Sequence, residues 1–233
     1  MDILGVIPAR GGSKSIPRKN LAPLAGRPLL AYTCDAALAS KRLTRVVLST
    51  DDEEIAAAGR ACGVEVPFRR PAGLSGDETP MVEVLQDVAA RLADRDGYRA
   101  EALVVLQPTS PLRRAAHIDE AVELLLETGA DSVVSVIEVP HQFSPVSLLR
   151  VADGRLAPLV EGPPILRRQD KPRVYARNGP AVIAVRREVV VERGSLYGDD
   201  CRPYLMALED SVDIDTSFDL ELAALLLARR GTA

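Results

Sequence analysis

The stretch Ile3-Leu4-Gly5-Val6-Ile7-Pro8-Ala9-Arg10-Gly11-Gly12-Ser13-Lys14-Ser15-Ile16-Pro17-Arg18-Lys19-Asn20 runs a short apolar strand straight into a loop carrying two adjacent glycines and four cations. Such a loop, at the carboxyl end of a strand, lets backbone N–H groups approach phosphate oxygens. Arg10 and Lys14 can neutralise charge as it moves onto a leaving pyrophosphate. Two better-known phosphate loops are absent: there is no G-x-x-x-x-G-K-[ST] string here, and Gly11-Gly12-Ser13 does not give G-x-G-x-x-G. Without that glycine fingerprint, Asp51 and Asp52 are expected to start a helix and not to hold a ribose.

Outward from this strand, β-branched runs alternate with segments of helical period, the pattern of a mostly parallel sheet with helices on both faces, a Rossmann-like α/β fold. Strands are expected at Ile3–Ala9, Arg45–Ser49, Val64–Phe68, Leu103–Gln107, Ser132–Val139, Ala181–Val185 and Tyr204–Leu208. Helices are expected at Pro28–Ser40, Asp52–Cys62, Pro80–Arg95, Ala116–Thr128 (stopped by Gly129) and Thr216–Arg229. Between Pro140 and Asn178 prolines break the rhythm, so residues 140–178 are expected to leave the main sheet of a single 233-residue domain.

The 29 basic and 33 acidic residues are interspersed and give a net charge of −4, which argues against nucleic-acid binding. The apolar run at the N-terminus is too short for a signal or a membrane span, so a cytoplasmic protein is expected. Cys34, Cys62 and Cys201 lack metal-site or redox spacing and are expected to be reduced, buried small residues.

Two further polar strings stand out. Gln107-Pro108-Thr109-Ser110-Pro111-Leu112-Arg113 sets an amide, two hydroxyls and a guanidinium on a proline-stiffened loop. Gln107 can both donate and accept, which suits a polyhydroxylated substrate, although Pro, Ser and Thr also favour ordinary turns. In Ser211-Val212-Asp213-Ile214-Asp215-Thr216-Ser217-Phe218-Asp219-Leu220, Asp213 and Asp215 share one face of an extended backbone. Two such carboxylates repel unless a cation lies between them, which suits Mg2+. Asp219 is expected to serve the following helix as a first-turn acid.

Taken together, ARGGSKSIPRKN, LQPTSPLR, RNGPAVIAV and SVDIDTSFDL resemble the acylneuraminate cytidylyltransferase family, in that order along the chain. The resemblance implies a Rossmann-like nucleotidyltransferase, usually a homodimer, in which the 140–178 excursion of one subunit closes the other's site. It implies CTP and a sugar acid as substrates and Mg2+ as cofactor. Arg10, Gly12, Ser13, Lys14 and Lys19 match triphosphate-binding positions, and Asn20 and Arg70 match positions near the nucleoside. Gln107, Arg168 and Asn178 match the sugar-acid side, and Asp213 and Asp215 the metal ligands. Val182 stands where sialic-acid members carry a tyrosine, which implies fewer contacts to the distal arms of the sugar. His117 and His141 have no partner in the sequence that marks them as a general base.

Overall fold

The computed structural model describes residues 1–163, 165–179 and 181–231. Its core is a sheet built around β1 (Ile3–Pro8), every residue of which is buried. β1 pairs in parallel with β4 (Arg45–Ser49) on one side and β5 (Ala102–Val105) on the other. The order continues through β10 (Ile183–Arg186) to β6 (Ser132–Glu138) and the edge strand β11 (Cys201–Leu205). β10 is antiparallel to both its neighbours, while β6 and β11 are parallel. β4, β1, β5, β6 and β11 therefore run one way, and only β10 and β9 (Tyr175–Arg177), which pairs with β6, run against them.

Alternation along β1 divides the core in two. Ile3 and Ile7 face α1 (Leu29–Leu38), α2 (Glu53–Ala61) and α4 (Ala115–Thr128), packing with Leu30, Ile55, Ile118 and Val122. Leu4 and Val6 face α3 (Met81–Asp96) and α5 (Arg187–Val191), packing with Leu85, Val88, Leu92 and Val189. Asp52 caps α2, accepting from the N–H groups of Glu54 at 2.8 Å and Ile55 at 3.0 Å. Gly129 ends α4 at φ 69°, a left-handed C-terminus that glycine adopts without penalty. α6 (Ser217–Gly231) closes the chain over a smaller cluster of Leu24, Leu29, Ile214 and Ala223.

The structure corrects several expectations. Val64–Phe68 is not a strand: only Glu65 bridges Val47, and Pro67, with no N–H to donate, stops the ladder there. The last strand lies at Cys201–Leu205, not Tyr204–Leu208; Pro203 is accommodated because β11 is at the sheet edge. Of the three cysteines only Cys34 is buried, while Cys62 is half-buried and Cys201 exposed. Val182 is fully buried in the core beneath α4, so its side chain cannot face a sugar and its identity reports packing.

The 140–178 segment contains a hairpin, β7 (Leu149–Ala152) with β8 (Arg155–Pro158), before β9 returns to the main sheet. A short antiparallel pair, β2 (Pro23–Leu24) with β3 (Arg27–Pro28), precedes α1. The β7–β8 hairpin carries Val151 and Leu156 at 74% and 70% exposure. Among the described residues no helix is long and apolar enough to cross a membrane.

Candidate active site

The carboxyl ends of β1, β4 and β5 lie side by side, and the loops leaving them meet the acidic segment before α6. They enclose a cavity of about 260 Å³ lined by Arg10, Gly12, Ser13, Lys19, Asn20, Arg70, Gln107, Asp213 and Asp215, together with Pro8, Met81, Pro108 and Thr109. Residues from opposite ends of the chain thus share one wall.

The first loop is held from several directions. The N–H of Gly11 donates to Asp51 Oδ1 at 2.9 Å, and Asn20 Nδ2 donates to the carbonyl of Arg10 at 2.9 Å. Gly11 itself is required by crowding, since a Cβ there would stand 2.9 Å from Cβ of Asp52. Lys19 Nζ donates to the carbonyl of Ile214 at 2.7 Å and to Asp215 Oδ1 at 3.0 Å, tying the cationic loop to the acidic segment. Arg10 and Lys14 both pair with the carboxylate of Asp77, Arg10 on Oδ1 and Lys14 on Oδ2. Those two cations hold the Asp77 carboxyl below its ordinary value, Lys14 having the larger effect.

Arg70 is buried under the same wall. Its Nε donates to Ser49 Oγ at 3.0 Å and its Nη2 to the Ser49 carbonyl at 2.6 Å, while desolvation lowers its pKa. Arg113, in the second polar string, lies wholly inside the protein and donates to the carbonyls of Gln107 at 3.1 Å and Ala181 at 2.8 Å and to Thr33 Oγ1 at 2.6 Å. It is an internal brace for the Gln107 loop. Ile214 N–H reaches the Thr109 carbonyl at 2.8 Å, joining that loop to the acidic segment.

Asp213 Oδ1 and Thr109 Oγ1 are both buried, and neither makes a well-formed hydrogen bond. Burial pushes the Asp213 carboxyl above its ordinary value; the neighbouring Thr109 hydroxyl opposes the rise and the charge of Asp215 adds to it. A buried carboxylate whose charge is penalised by desolvation is one that a bound cation would stabilise. Among the described residues no three His, Cys, Asp or Glu side chains gather as metal ligands. Two carboxylates, Asp213 and Asp215, in the lining are a donor set that could hold a hard divalent cation, with phosphate oxygens and water completing its shell. Asp219 behaves as expected of a first-turn acid: it accepts from Thr216 N at 2.7 Å and Thr216 Oγ1 at 2.8 Å. These bonds hold its carboxyl low despite partial burial.

Three residues singled out from the sequence do not line the cavity. Lys14 lies beyond its rim, beside Asp77. Asn178 is buried, with Nδ2 donating to Ser211 Oγ at 2.9 Å and Oδ1 accepting from Ser135 Oγ at 2.6 Å. Arg168 lines a separate cavity of about 730 Å³ with His141, Lys171, Arg173 and Leu208. Of the pair expected to start a helix, Asp52 does cap α2, whereas Asp51 holds the first loop through Gly11; Asp77, Met81 and Gly179 carried no local signal in the sequence.

A family model for cytidylyltransferases matches residues 4–192. The chain belongs to the cytidylyltransferase family. It is a nucleotidyltransferase. It is 35% identical over 228 residues to the CMP-N,N'-diacetyllegionaminic acid synthase of Legionella pneumophila, covering 97% of each chain. It is also 35% identical over 230 residues to N-acylneuraminate cytidylyltransferase A of Danio rerio, where it covers 98% of itself and 51% of that protein. The chain thus spans about half the length of that relative. The fold is also that of a solved CMP:2-keto-3-deoxy-manno-octonic acid synthetase complexed with CTP, with a TM-score of 0.74 at 20% identity, covering 99% of this chain and 100% of that one. In this cytidylyltransferase, three cations (Arg10, Lys19, Arg70) and two carboxylates (Asp213, Asp215) face one cavity, an arrangement suited to a polyphosphate with a counter-ion.

Proposed function

We propose that the chain transfers CMP from CTP to the anomeric hydroxyl of a sialic-acid-like 2-keto sugar acid, releasing pyrophosphate. The observation that carries this reading is the meeting of the Arg10–Asn20 loop, Arg70 and Gln107 with Asp213 and Asp215 in one cavity. The Legionella pneumophila relative, which this chain matches along 97% of its length and which is named for CMP-N,N'-diacetyllegionaminic acid, supports a sugar-acid acceptor.

In this reading Arg10, Ser13, Lys14 and Lys19 bind the triphosphate, with Gly12 allowing its close approach. Asn20 and Arg70 face the nucleoside, and Gln107 orients the sugar. Asn178 is better suited to holding Gly179 near Asp213 than to touching substrate, since both ends of its amide bond protein groups. The anomeric oxygen attacks the α-phosphorus in line, the bond to the β-phosphate bridging oxygen breaks, and pyrophosphate leaves with the electron pair. Arg10 and Lys14 stabilise the charge gathering on that leaving group. Family members commonly use a divalent metal; Mg2+ on Asp213 and Asp215, when bound, neutralises phosphate charge and lowers the pKa of the attacking hydroxyl. Neither histidine lines the cavity, and no side chain is assigned as base.

We assign residues 140–178 to a homodimer contact in which Arg168 reaches the partner's cavity. The exposed apolar side chains of the β7–β8 hairpin support this, as does the placement of Arg168 apart from its own chain's Asp213. The test is pyrophosphate release across the four nucleoside triphosphates and a panel of sugar acids. Release with CTP and 2-keto sugar acids is expected. Preference for GTP, or for an acid lacking the 2-keto group, would replace this substrate assignment, and no release with any pair would leave a nucleotide-binding protein without turnover.

A further inference from the structure

The segment between Arg70 and Met81 is anchored at both ends in the cavity wall, because both of those residues line it. Between them the chain makes a short turn at Ala72–Leu74 and then projects Gly76-Asp77-Glu78 across the mouth of the cationic loop. At its tip the carboxylate of Asp77 takes Arg10 on one oxygen and Lys14 on the other. These are the two cations that an entering triphosphate needs. A carboxylate that bridges two cations through separate oxygens presents charge and acceptor geometry resembling those of a phosphate.

We propose that Asp77 is a stand-in for the polyphosphate: its carboxylate pairs with Arg10 and Lys14 and must be displaced from them when phosphate oxygens enter. The inference rests on the triphosphate role given above to Arg10 and Lys14. Three observations support displacement over permanent bracing. Lys14 is 84% exposed, and its one ion pair among the described residues is with Asp77, so little else fixes its position. Arg10 also lines the main cavity while it pairs with Asp77, so the carboxylate competes for a cation of the site itself. Asp77 bonds no other side chain among the described residues, so its release from the two cations breaks nothing else. In the empty enzyme the pairing keeps both cations near the site and lowers affinity for adventitious anions. After reaction, its return competes with bound pyrophosphate and favours release.

The experiment titrates tripolyphosphate calorimetrically into wild type, Asp77→Asn and Glu78→Gln. Glu78 is the control because its carboxylate pairs with neither cation. Asp77→Asn should bind tripolyphosphate about five- to tenfold more tightly, since two exposed ion pairs no longer compete with it. The difference should shrink as salt is raised, because these pairs lie near the surface. Glu78→Gln should change affinity less than about twofold. In turnover, Asp77→Asn should lower the KM for CTP without raising kcat and should be inhibited more strongly by pyrophosphate. Equal or weaker tripolyphosphate binding by Asp77→Asn overturns the proposal, as does a failure of every form to bind it. Tripolyphosphate carries no nucleoside and needs no acceptor, so this result stands apart from whether CTP and a sugar acid are the substrates.

Discussion

Gly179 lies so close to Asp213 that a Cβ built on the glycine would stand 2.8 Å from the carboxylate carbon and 3.0 Å from each carboxylate oxygen. Its φ of +102° is also one that side-chain-bearing residues rarely adopt. Gly179→Ala must therefore push Asp213 away or distort its own turn. Because misplacing a catalytic group by about 1 Å costs on the order of 100-fold, turnover should fall at least tenfold. Backbone strain should lower stability by about 1–3 kcal/mol. Pyrophosphate release and a thermal melt read both. Normal turnover would show that the position of Asp213 is not critical.

Asp213→Asn and Asp215→Asn should each remove most turnover, because losing a ligand to a transition-state-stabilising ion costs roughly several kcal/mol of barrier. The stability of the two variants should diverge from their activity. Burial penalises the charged form of Asp213, so Asp213→Asn should melt at or above the wild-type temperature. Asp215 pairs with Lys19 at 3.0 Å near the surface, and its loss should cost about 0–1 kcal/mol. Near-normal rates for both variants at saturating Mg2+ would remove these residues from the metal site.

Much of this site was legible because its residues travel in short strings at strand ends. The loop after β1, the Gln107 loop and the acidic segment each carry chemistry in sequence order, and the sheet brings the three together. What was not legible acts across the chain. Asp77 reaches Arg10 over 67 residues and Asp51 reaches Gly11 over 40, distances at which no local spacing signals a contact. In the fold, the alternation of strands and helices was readable, but the β7–β8 hairpin was obscured by the surrounding prolines. Its signal was present in Asp153-Gly154, flanked by alternating Leu149, Val151 and Leu156, where both turn residues adopt positive φ of 51° and 72°. Val64–Phe68 misled in the opposite sense, because β-branched residues favour a strand only where their N–H groups find a partner.

Lys14→Ala should lower kcat by more than it raises the KM for CTP, because its charge helps to bind the triphosphate but acts best on the leaving pyrophosphate. Steady-state kinetics with varied CTP give the answer. A variant that only raises the KM for CTP would make Lys14 a ground-state binder.

His117 provides a pH-dependent stability test away from the chemistry. Its Nδ1 accepts from Arg114 N–H at 3.2 Å and its Nε2 lies 3.3 Å from Asp210 Oδ2, while Asp210 also pairs with Arg114 and Arg230. Burial lowers the His117 pKa; Asp210 and Glu120 oppose the shift, and Arg114 and Arg230 add to it. The folded value therefore lies below the unfolded value of about 6.5, so in the window between them the unfolded chain binds the extra proton. Stability from His117 is complete above about pH 6.5 and is lost as pH falls through the lowered folded value. The slope is at most about 1.4 kcal/mol per pH unit for one proton. Melting temperatures from pH 8 to 5 should show a steeper acid loss for wild type than for His117→Gln. Parallel curves would mean that another group titrates there.

Arg168 is the residue whose proposed role depends most on a second copy of the chain. Arg167, not Arg168, pairs with Asp170, at 2.8 Å, and Arg168 makes no ion pair among the described residues. Its guanidinium is therefore available to hold the carboxylate of a 2-keto sugar acid through two parallel hydrogen bonds, which an ammonium cannot reproduce. Turnover should fall strongly when the acid is replaced by its carboxamide, and when Arg168 is replaced in Arg168→Lys. With Val182 buried in the core, tolerance for varied distal arms cannot be argued from that position, so the acid–amide comparison carries the specificity test. Subunit mixing then decides where Arg168 acts. If it reaches the partner's cavity, a dimer of one Asp213→Asn chain and one Arg168→Lys chain contains one site with both residues intact. Random exchange of the two inactive variants should then restore about a quarter of wild-type activity, because half the dimers are mixed and each has one working site. If Arg168 serves its own chain, mixing restores nothing, and the 140–178 segment must fold back over its own cavity during turnover.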